Sequence, residues 1–257
     1  MKTIQRKPIR DSIAAAADIW LRTSEVRDYD GACNGLQFEG GATPKVIGAT
    51  VDASLHTVRL AAKAGVDFLV VHHGIFWTPL QPLTGVNRQL VGALTDAGMS
   101  LYSSHLPLDL HPTMGNNALL AKRLRLSRCK PFGDVFGQPI GLIGERATTV
   151  RQLGKDLESG IGSQPVITGA ARNRCTRVAV VTGGAGGLWP EALRAGTDVY
   201  ICGELRQHEA VAARDAGLAL IAAGHYATET LGPDALGRRL ASRFRLRYVW
   251  IDAPTGV

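Results

Sequence analysis

Residues 46–74 read VIGATVDASLHTVRLAAKAGVDFLVVHHG, and the order of periodicities within this stretch decides the fold class. Residues 46–51 (VIGATV) make a short apolar strand. Over 54–64 the apolar positions Leu55, Val58, Ala61 and Ala62 recur at the spacing of a helix. Residues 66–71 (VDFLVV) are a continuous apolar run, as a strand buried on both faces requires. The whole is a strand–helix–strand unit. Downstream, 88–97 predicts a second helix, stopped by Gly98 as its C-cap, and 99–103 (MSLYS) a further strand.

The second half runs through the same order. It has VAVV at 178–181, a Gly-rich turn, a helix through Ala195, VYIC at 199–202, a helix over 207–216 and LALIAA at 218–223. The punctuation repeats too: Ala64-Gly65-Val66-Asp67 corresponds to Ala195-Gly196-Thr197-Asp198, and Asp96-Ala97-Gly98 to Asp215-Ala216-Gly217. Strands alternating with helices through short turns predict an α/β architecture with mostly parallel sheets in two similar lobes. The first lobe is expected over 1–125, and a connector with the second lobe over 126–257. Within the connector, GDVFGQPIGLIGE at 133–145 reads as a hairpin and not as an independent domain.

The 257 residues suffice for one large domain or two compact ones, and 45% apolar with 20% charged residues and 12 prolines is an ordinary globular composition. A mini-protein and a disordered chain are excluded. No stretch approaches the roughly 18 uncharged apolar residues that a membrane span needs. The opening MKTIQRKPIRDSIAAAADIW, its apolar run broken by Asp18, lacks a signal-peptide pattern, so a cytoplasmic protein is expected. Cys33, Cys129, Cys175 and Cys202 contain no C-x-x-C pair and read as reduced thiols. Lys and Arg number 29 against 22 Asp and Glu, a net charge of +7 that favours anionic ligands such as nucleotides or phosphorylated metabolites. Much of the excess lies in Arg238, Arg239, Arg243, Arg245 and Arg247, the last three alternating with Phe244, Leu246 and Tyr248 as in a half-buried strand. They read as a solvated face rather than a nucleic-acid site.

In open α/β folds ligands bind beyond the carboxyl ends of the strands. Here His72-His73-Gly74 follows VDFLVV, and His105, with Asp109 four residues on, follows MSLYSS. His225, with Glu229 four residues on, follows LALIAAG, and Gly203-Glu204 follows VYIC. An isolated His-His pair is explained by one ring facing solvent and one bonded to a backbone carbonyl. Successive side chains on an extended chain point oppositely, however, so such a pair can also serve two metals, or a metal and a substrate. His105/Asp109 and His225/Glu229 each set an imidazole and a carboxylate one turn apart at matching points of the repeats. That donor set suits zinc, iron or manganese, and its recurrence favours a metal site, since clustered acids and imidazoles need a cation. The turn Thr182-Gly183-Gly184-Ala185-Gly186-Gly187 lacks both the dinucleotide spacing and a P-loop lysine, and reads as a tight turn or a phosphate cradle. Asn34-Gly35-Leu36-Gln37 reads as a turn entering a strand.

Together Asn34-Gly35-Leu36-Gln37, VVHHGIFW at 70–77, SHLPLDLHPTMGNN at 104–117, Thr182-Gly183-Gly184, Gly203-Glu204 and AAGHYATE at 222–229 resemble the Nif-three-like family of dinuclear metal-binding proteins, the type 2 GTP cyclohydrolase I homologues. The resemblance covers nearly the whole chain, in the compact form without an inserted middle domain. It implies two divalent ions between the lobes, zinc, iron or manganese, held by His72, His73, Asp109, His225 and Glu229, with Asp109 and Glu229 the candidate bridges. His105 and Glu204 are then candidate catalytic proton shuttles. The implied activity is hydrolysis of a nucleotide-like substrate, with attack at C8 of the guanine of GTP and release of formate. Two other readings stand beside it: a metal hydrolase acting on a phosphoester or cyclic amide, and a non-catalytic metal-binding or metal-handling scaffold that engages a partner or nucleic acid through its arginines. Similar proteins assemble as hexameric rings built from dimers, so a homohexamer is expected.

Overall fold

The computed structural model describes residues 8–77, 82–169 and 174–256. Two compact units divide the chain: Met1–Leu108 with Pro233–Ala253, and Asp109–Gly232 with Pro254–Val257.

The first unit opens with helix α1 (Ile9–Leu21), which buries Ile13, Ala14, Ala17 and Leu21 along one face. Strand β1 (Gly35–Phe38), strand β2 (Val46–Ala49), helix α2 (Leu55–Lys63), strand β3 (Phe68–Val71), helix α3 (Gly85–Asp96) and strand β4 (Ser100–Ser103) follow. Helix α2 starts where it does because Ser54 and Thr57 form a reciprocal cap: Ser54 Oγ accepts from Thr57 N at 3.1 Å and Thr57 Oγ1 from Ser54 N at 2.8 Å.

The second unit comprises helix α4 (Leu106–Asp109, shared with the end of the first unit), helix α5 (Asn116–Arg123), strands β5 (Ser127–Val135) and β6 (Gln138–Thr149), helix α6 (Val150–Ile161) and strand β7 (Val166–Thr168). It continues with strand β8 (Arg174–Val181), helix α7 (Trp189–Arg194), strand β9 (Val199–Cys202), helix α8 (Gln207–Asp215), strand β10 (Ala219–Ala222) and helix α9 (His225–Glu229). Helix α10 (Leu231–Phe244) and strand β11 (Arg247–Trp250) then return the chain to the first unit.

The first sheet has the order β1-β4-β3-β2-β11, parallel except for the antiparallel edge β1. In the second, ordered β5-β6-β8-β9-β10-β7, the central β8, β9 and β10 are parallel and the flanking strands antiparallel. The GDVFGQPIGLIGE stretch is the turn and arms of the β5–β6 hairpin, which widens this sheet. Opposite faces of the second sheet bury opposite residues of each strand. Val178, Val180, Val199 and Ile201 pack with Leu153 and Leu157 of α6, and Ala179, Val181, Tyr200 and Cys202 with Ala192 of α7 and Ala213 of α8.

The repeated punctuation has a structural cause. Gly65 and Gly196, with φ of +72° and +68°, occupy the left-handed region that ends α2 and α7. Asp67 then accepts backbone N–H bonds from Lys45 and Val46 at 2.8 and 2.9 Å, and Asp198 those of Thr176 and Arg177 at 2.7 and 2.8 Å. In each lobe one aspartate ties the start of a strand to its parallel neighbour.

One local expectation is corrected. Arg243 and Phe244 are helical, because the buried spacing Leu236–Leu240 carries α10 on to Phe244; Arg245 turns the chain at φ +56°, and the strand begins only at Arg247. The arginines at 238, 239, 243, 245 and 247 are all exposed. Among the described residues no helix is long and apolar enough to cross a membrane.

Candidate metal centre

In the first unit, three imidazoles meet just past the carboxyl ends of adjacent parallel strands. His72 and His73 follow β3 directly and are fixed there because both their backbone N–H groups donate to Val51 O, at 2.8 and 2.9 Å. His105 lies two residues beyond β4. Ring centroids are 4.8 Å apart for His72–His73, 4.9 Å for His72–His105 and 5.6 Å for His73–His105. Each ring offers a ligand atom within 4.8 Å of the others, and all three are buried.

What lies behind the rings fixes their chemistry. His72 Nδ1 is 2.9 Å from Ser104 O, His73 Nδ1 2.8 Å from Asp52 Oδ1, and His105 Nδ1 2.8 Å from Asp28 Oδ1. The carbonyl of Ser104 can only accept, so His72 Nδ1 carries the proton and Nε2 holds the lone pair; carboxylates bias the other two rings alike. An oxygen acceptor behind Nδ1 is the arrangement that orients metal-ligating histidines. Asp28 also accepts from Leu106 N at 2.9 Å and Asn34 Nδ2 at 2.8 Å. Burial opposes its charge, but the hydrogen bond and charge of His105, with the bonds from Asn34 and Tyr29 N–H, outweigh that and hold its pKa below the usual carboxylate value.

Asn34-Gly35-Leu36-Gln37 braces this arrangement. Asn34 Oδ1 accepts from His105 N at 2.7 Å. Gln37 Nε2 donates to Ala32 O and Cys33 O, both at 3.0 Å, while Gln37 Oε1 accepts from Ile75 N at 2.8 Å. A Cβ at position 74 would overlap the Gln37 amide, which accounts for the glycine after the His-His pair.

In the second unit, Asp109 ends α4, buried, and accepts from Asn116 Nδ2 at 2.8 Å and Thr182 Oγ1 at 3.4 Å. Asn117 holds the same turn, its Oδ1 accepting from Thr182 N at 2.9 Å. His225 and Glu229 open and close α9, one turn apart, with His225 Nε2 3.1 Å from Glu229 Oε2. His225 Nδ1 lies 2.5 Å from Glu204 Oε1. Burial opposes a charge on this ring, yet the hydrogen bond and charge of Glu229, then those of Glu204, raise its pKa to about 9.

The Gly-rich turn is the backbone scaffold for these two carboxylates. Gly183, at φ +71°, leaves no room for a Cβ beside the Glu229 carboxylate, and its carbonyl accepts from Gly203 N at 2.8 Å and Glu204 N at 3.1 Å. The Gly183 N–H is taken by Thr228 Oγ1 at 3.1 Å, so it serves the turn and not a phosphate.

Both groups therefore fit a divalent transition ion by the chemistry of their donors: imidazoles oriented through Nδ1 in the first unit, and in the second the Nε2 of His225 beside the Glu229 carboxylate, with Glu204 behind Nδ1. The structure gathers His72, His73 and His105 in one unit, and His225, Glu229 and Glu204 in the other, where Asn116 and Thr182 hold Asp109. Sequence reasoning named none of Asp28, Asp52, Asn116 and Thr182 individually as site residues. Asp52, immediately after VIGATV, and Thr182, immediately after VAVV, carried a strand-end signal, and Asn116 lies in SHLPLDLHPTMGNN; Asp28 carried none.

A family model described as Duf34/NIF3 (NGG1p interacting factor 3) matches residues 9–255. A Pyrococcus horikoshii protein named GTP cyclohydrolase 1 type 2 homolog is 39% identical over 251 residues, 96% of this chain and 99% of its own. One of the same name from Halobacterium salinarum is 40% identical over 239 residues, 90% of this chain and 94% of its own. The crystal structure of a Thermus thermophilus protein superposes with a TM-score of 0.86 at 34% identity, covering 96% of this chain and 99% of that one.

Proposed function

Because the chain belongs to the Duf34/NIF3 (NGG1p interacting factor 3) family, we propose that it is a metal-dependent hydrolase of nucleotide-like substrates, with His72, His73, Asp109, His225 and Glu229 as ligands to two divalent ions. The observation that carries this reading is the oxygen acceptor behind Nδ1 of His72, His73 and His225, which leaves Nε2 as the ring atom to ligate an ion. Bound divalent ions supply Lewis acidity that polarises a carbonyl, imine or phosphoryl oxygen. His105, backed by Asp28 as a catalytic base is backed by its orienting carboxylate, moves a proton at Nε2. Glu204 steadies His225 through one oxygen and, half exposed, exchanges a proton with substrate or water through its carboxylate. The relatives' name, GTP cyclohydrolase 1 type 2 homolog, and the net charge of +7 support a nucleotide-like, anionic substrate. We propose further that the protein is a cytoplasmic homohexamer built from dimers.

Metal analysis combined with turnover tests it. The purified protein should retain two divalent ions per chain, lose them in His72→Ala and Glu229→Gln, and release formate from GTP. Glu204→Ala and His105→Asn should keep the metal and lose turnover. Full metal loading with no conversion of GTP, phosphoesters or cyclic amides would leave the non-catalytic scaffold; no metal retention would overturn the centre itself.

A further inference from the structure

Helix α5 does not need Asn116 for its own packing. Leu120 and, just past the helix, Leu124 join Val178 and Val180 in the core of the second unit. Asn117 adds a polar anchor, its Oδ1 accepting from Thr182 N at 2.9 Å and its Nδ2 donating to Ile140 O at 2.8 Å. Asn116, fully buried, sends both ends of its amide elsewhere. Its Nδ2 donates to Asp109 Oδ1 at 2.8 Å, and its Oδ1 accepts from Gly232 N at 2.6 Å. The backbone N–H of Gly232 can only donate, so Oδ1 must face it and Nδ2 must face Asp109.

Both partners belong to the candidate centre. Asp109 closes α4 and is joined to α5 by a turn folded upon itself: His111 Nδ1 accepts from Thr113 N at 3.2 Å and Met114 N at 3.1 Å, and Gly115 N donates to His111 O at 3.0 Å. Gly232 is the second residue of α10, so its N–H is one of the first four of that helix and has no acceptor within it. Asn116 caps it from 116 residues away. Glu229 stands just before, at the end of the helix α9 that His225 opens. One buried side chain thus connects Asp109 directly to the segment that carries His225 and Glu229. An apolar side chain of similar size would fill the space without burying an amide, so what the amide contributes is direction.

We propose that Asn116 is a positioning residue: its amide fixes the Asp109 carboxylate relative to the helix bearing His225 and Glu229, and retention of a divalent ion by those three residues depends on that tie. The inference rests on the metal-centre reading for the role of the three and adds the residue that sets their relation. Hydrogen-bond partners behind metal-ligating side chains are worth about 10- to 100-fold in affinity.

The test is zinc affinity, measured by competition with a chromogenic chelator, in wild type, Asn116→Leu, Thr197→Val and the exchange that combines Asp109→Asn with Asn116→Asp. Each protein is also unfolded in urea after chelator treatment. Asn116→Leu should bind zinc roughly 10- to 100-fold more weakly than wild type. Thr197→Val removes a buried 2.9 Å hydrogen bond to Ala192 O at the opposite end of β9 from Cys202, and should lower stability with zinc affinity unchanged. The exchange keeps an amide facing a carboxylate and an acceptor facing Gly232 N. It should therefore recover the stability that Asn116→Leu loses while binding zinc weakly, because the carboxylate now stands at position 116; it carries the test if Asn116→Leu does not fold. Wild-type affinity in Asn116→Leu, or recovered affinity in the exchange, overturns the positioning role. A loss in Thr197→Val as large as that in Asn116→Leu does so too, by tracing both to stability alone. Zinc binding that depends on Asn116 in a protein converting neither GTP, phosphoesters nor cyclic amides upholds the role while sinking the hydrolase reading, so the two fail separately.

Discussion

Gly183 shows how single positions govern the second unit's donors. Its left-handed φ of +71° strains any L side chain, and a Cβ would strike the Glu229 carboxylate. Gly183→Ala should cost about 1–3 kcal/mol in urea unfolding and lower metal content, whereas Gly184→Ala, whose Cβ would meet only the His225 ring at 3.6 Å, should do neither. Equal effects of both would contradict this role. His225 offers a second test. In chelator-treated protein its pKa near 9 exceeds the ordinary 6.5, so its contribution to stability is complete below about 6.5 and disappears as pH climbs through about 9. The stability difference between wild type and Glu204→Gln should therefore be largest at the acid end of that window and shrink above it. A difference that grows with pH would refute the sign. The His225–Glu229 pair was legible in the sequence because four-residue spacing announces one helical turn. Asp28 and Asp52 were not, since each meets its histidine 77 or 21 residues away and a loop aspartate looks in sequence like any solvated one.

Elements show the same division between local and distant causes. The alternation of β2, α2, β3, α3 and β4, and its echo from β8 to β10, could be read because several boundaries carry local signals, such as the Ser54–Thr57 cap of α2 and the glycines Gly65 and Gly196. Residues 243–248 misled because a helix end, a left-handed Arg245 and a strand start happen to alternate polar and apolar like one strand. Helix α6 was missed inside the connector, although Thr149 caps it by accepting from Gln152 N at 3.2 Å. Its anchor to β6 is the 2.5 Å ion pair between Asp156 and Arg146, both largely buried. Burial opposes the charge of Asp156, but Gln152 and Arg146 outweigh it and hold its pKa below the ordinary carboxylate value. A lowered carboxylate stabilises above its unfolded pKa and ceases to as pH falls through its folded one. Asp156→Asn should thus cost about 1 kcal/mol near neutral pH and progressively less in acid, measured as a shift in denaturant midpoint. A penalty undiminished at low pH would assign the residue a packing role instead.

At the scale of the whole chain, the path matters more than the count of elements. The sequence repeat divides the chain into successive halves, whereas the first unit recovers Pro233–Ala253 after the main span of the second, Asp109–Gly232. Nothing local in residues 231–250 announces that return; it follows from where Leu236 and Leu240, both fully buried, and β11 find their partners. Strand β11 pairs in parallel with β2 from Arg247–Val46 to Trp250–Ala49, and Ile251 joins Val58, Leu69 and Leu101 in that unit's core. A chain ending at residue 232 would keep all strands of the second sheet yet strip the first of its edge strand and of α10. Removing two buried leucines alone forfeits about 4–10 kcal/mol, comparable with the stability of a whole domain. Hydrogen exchange on the truncated protein should therefore show β2, β3 and β4 amides unprotected, with those of β8, β9 and β10 still slow. Persistent protection in β2–β4 would mean that the first unit's core stands without its returning segment. Because His72, His73 and His105 sit at the ends of β3 and β4, the same truncation should abolish their shared ligand geometry while leaving the Gly183–Glu204–His225–Glu229 scaffold folded.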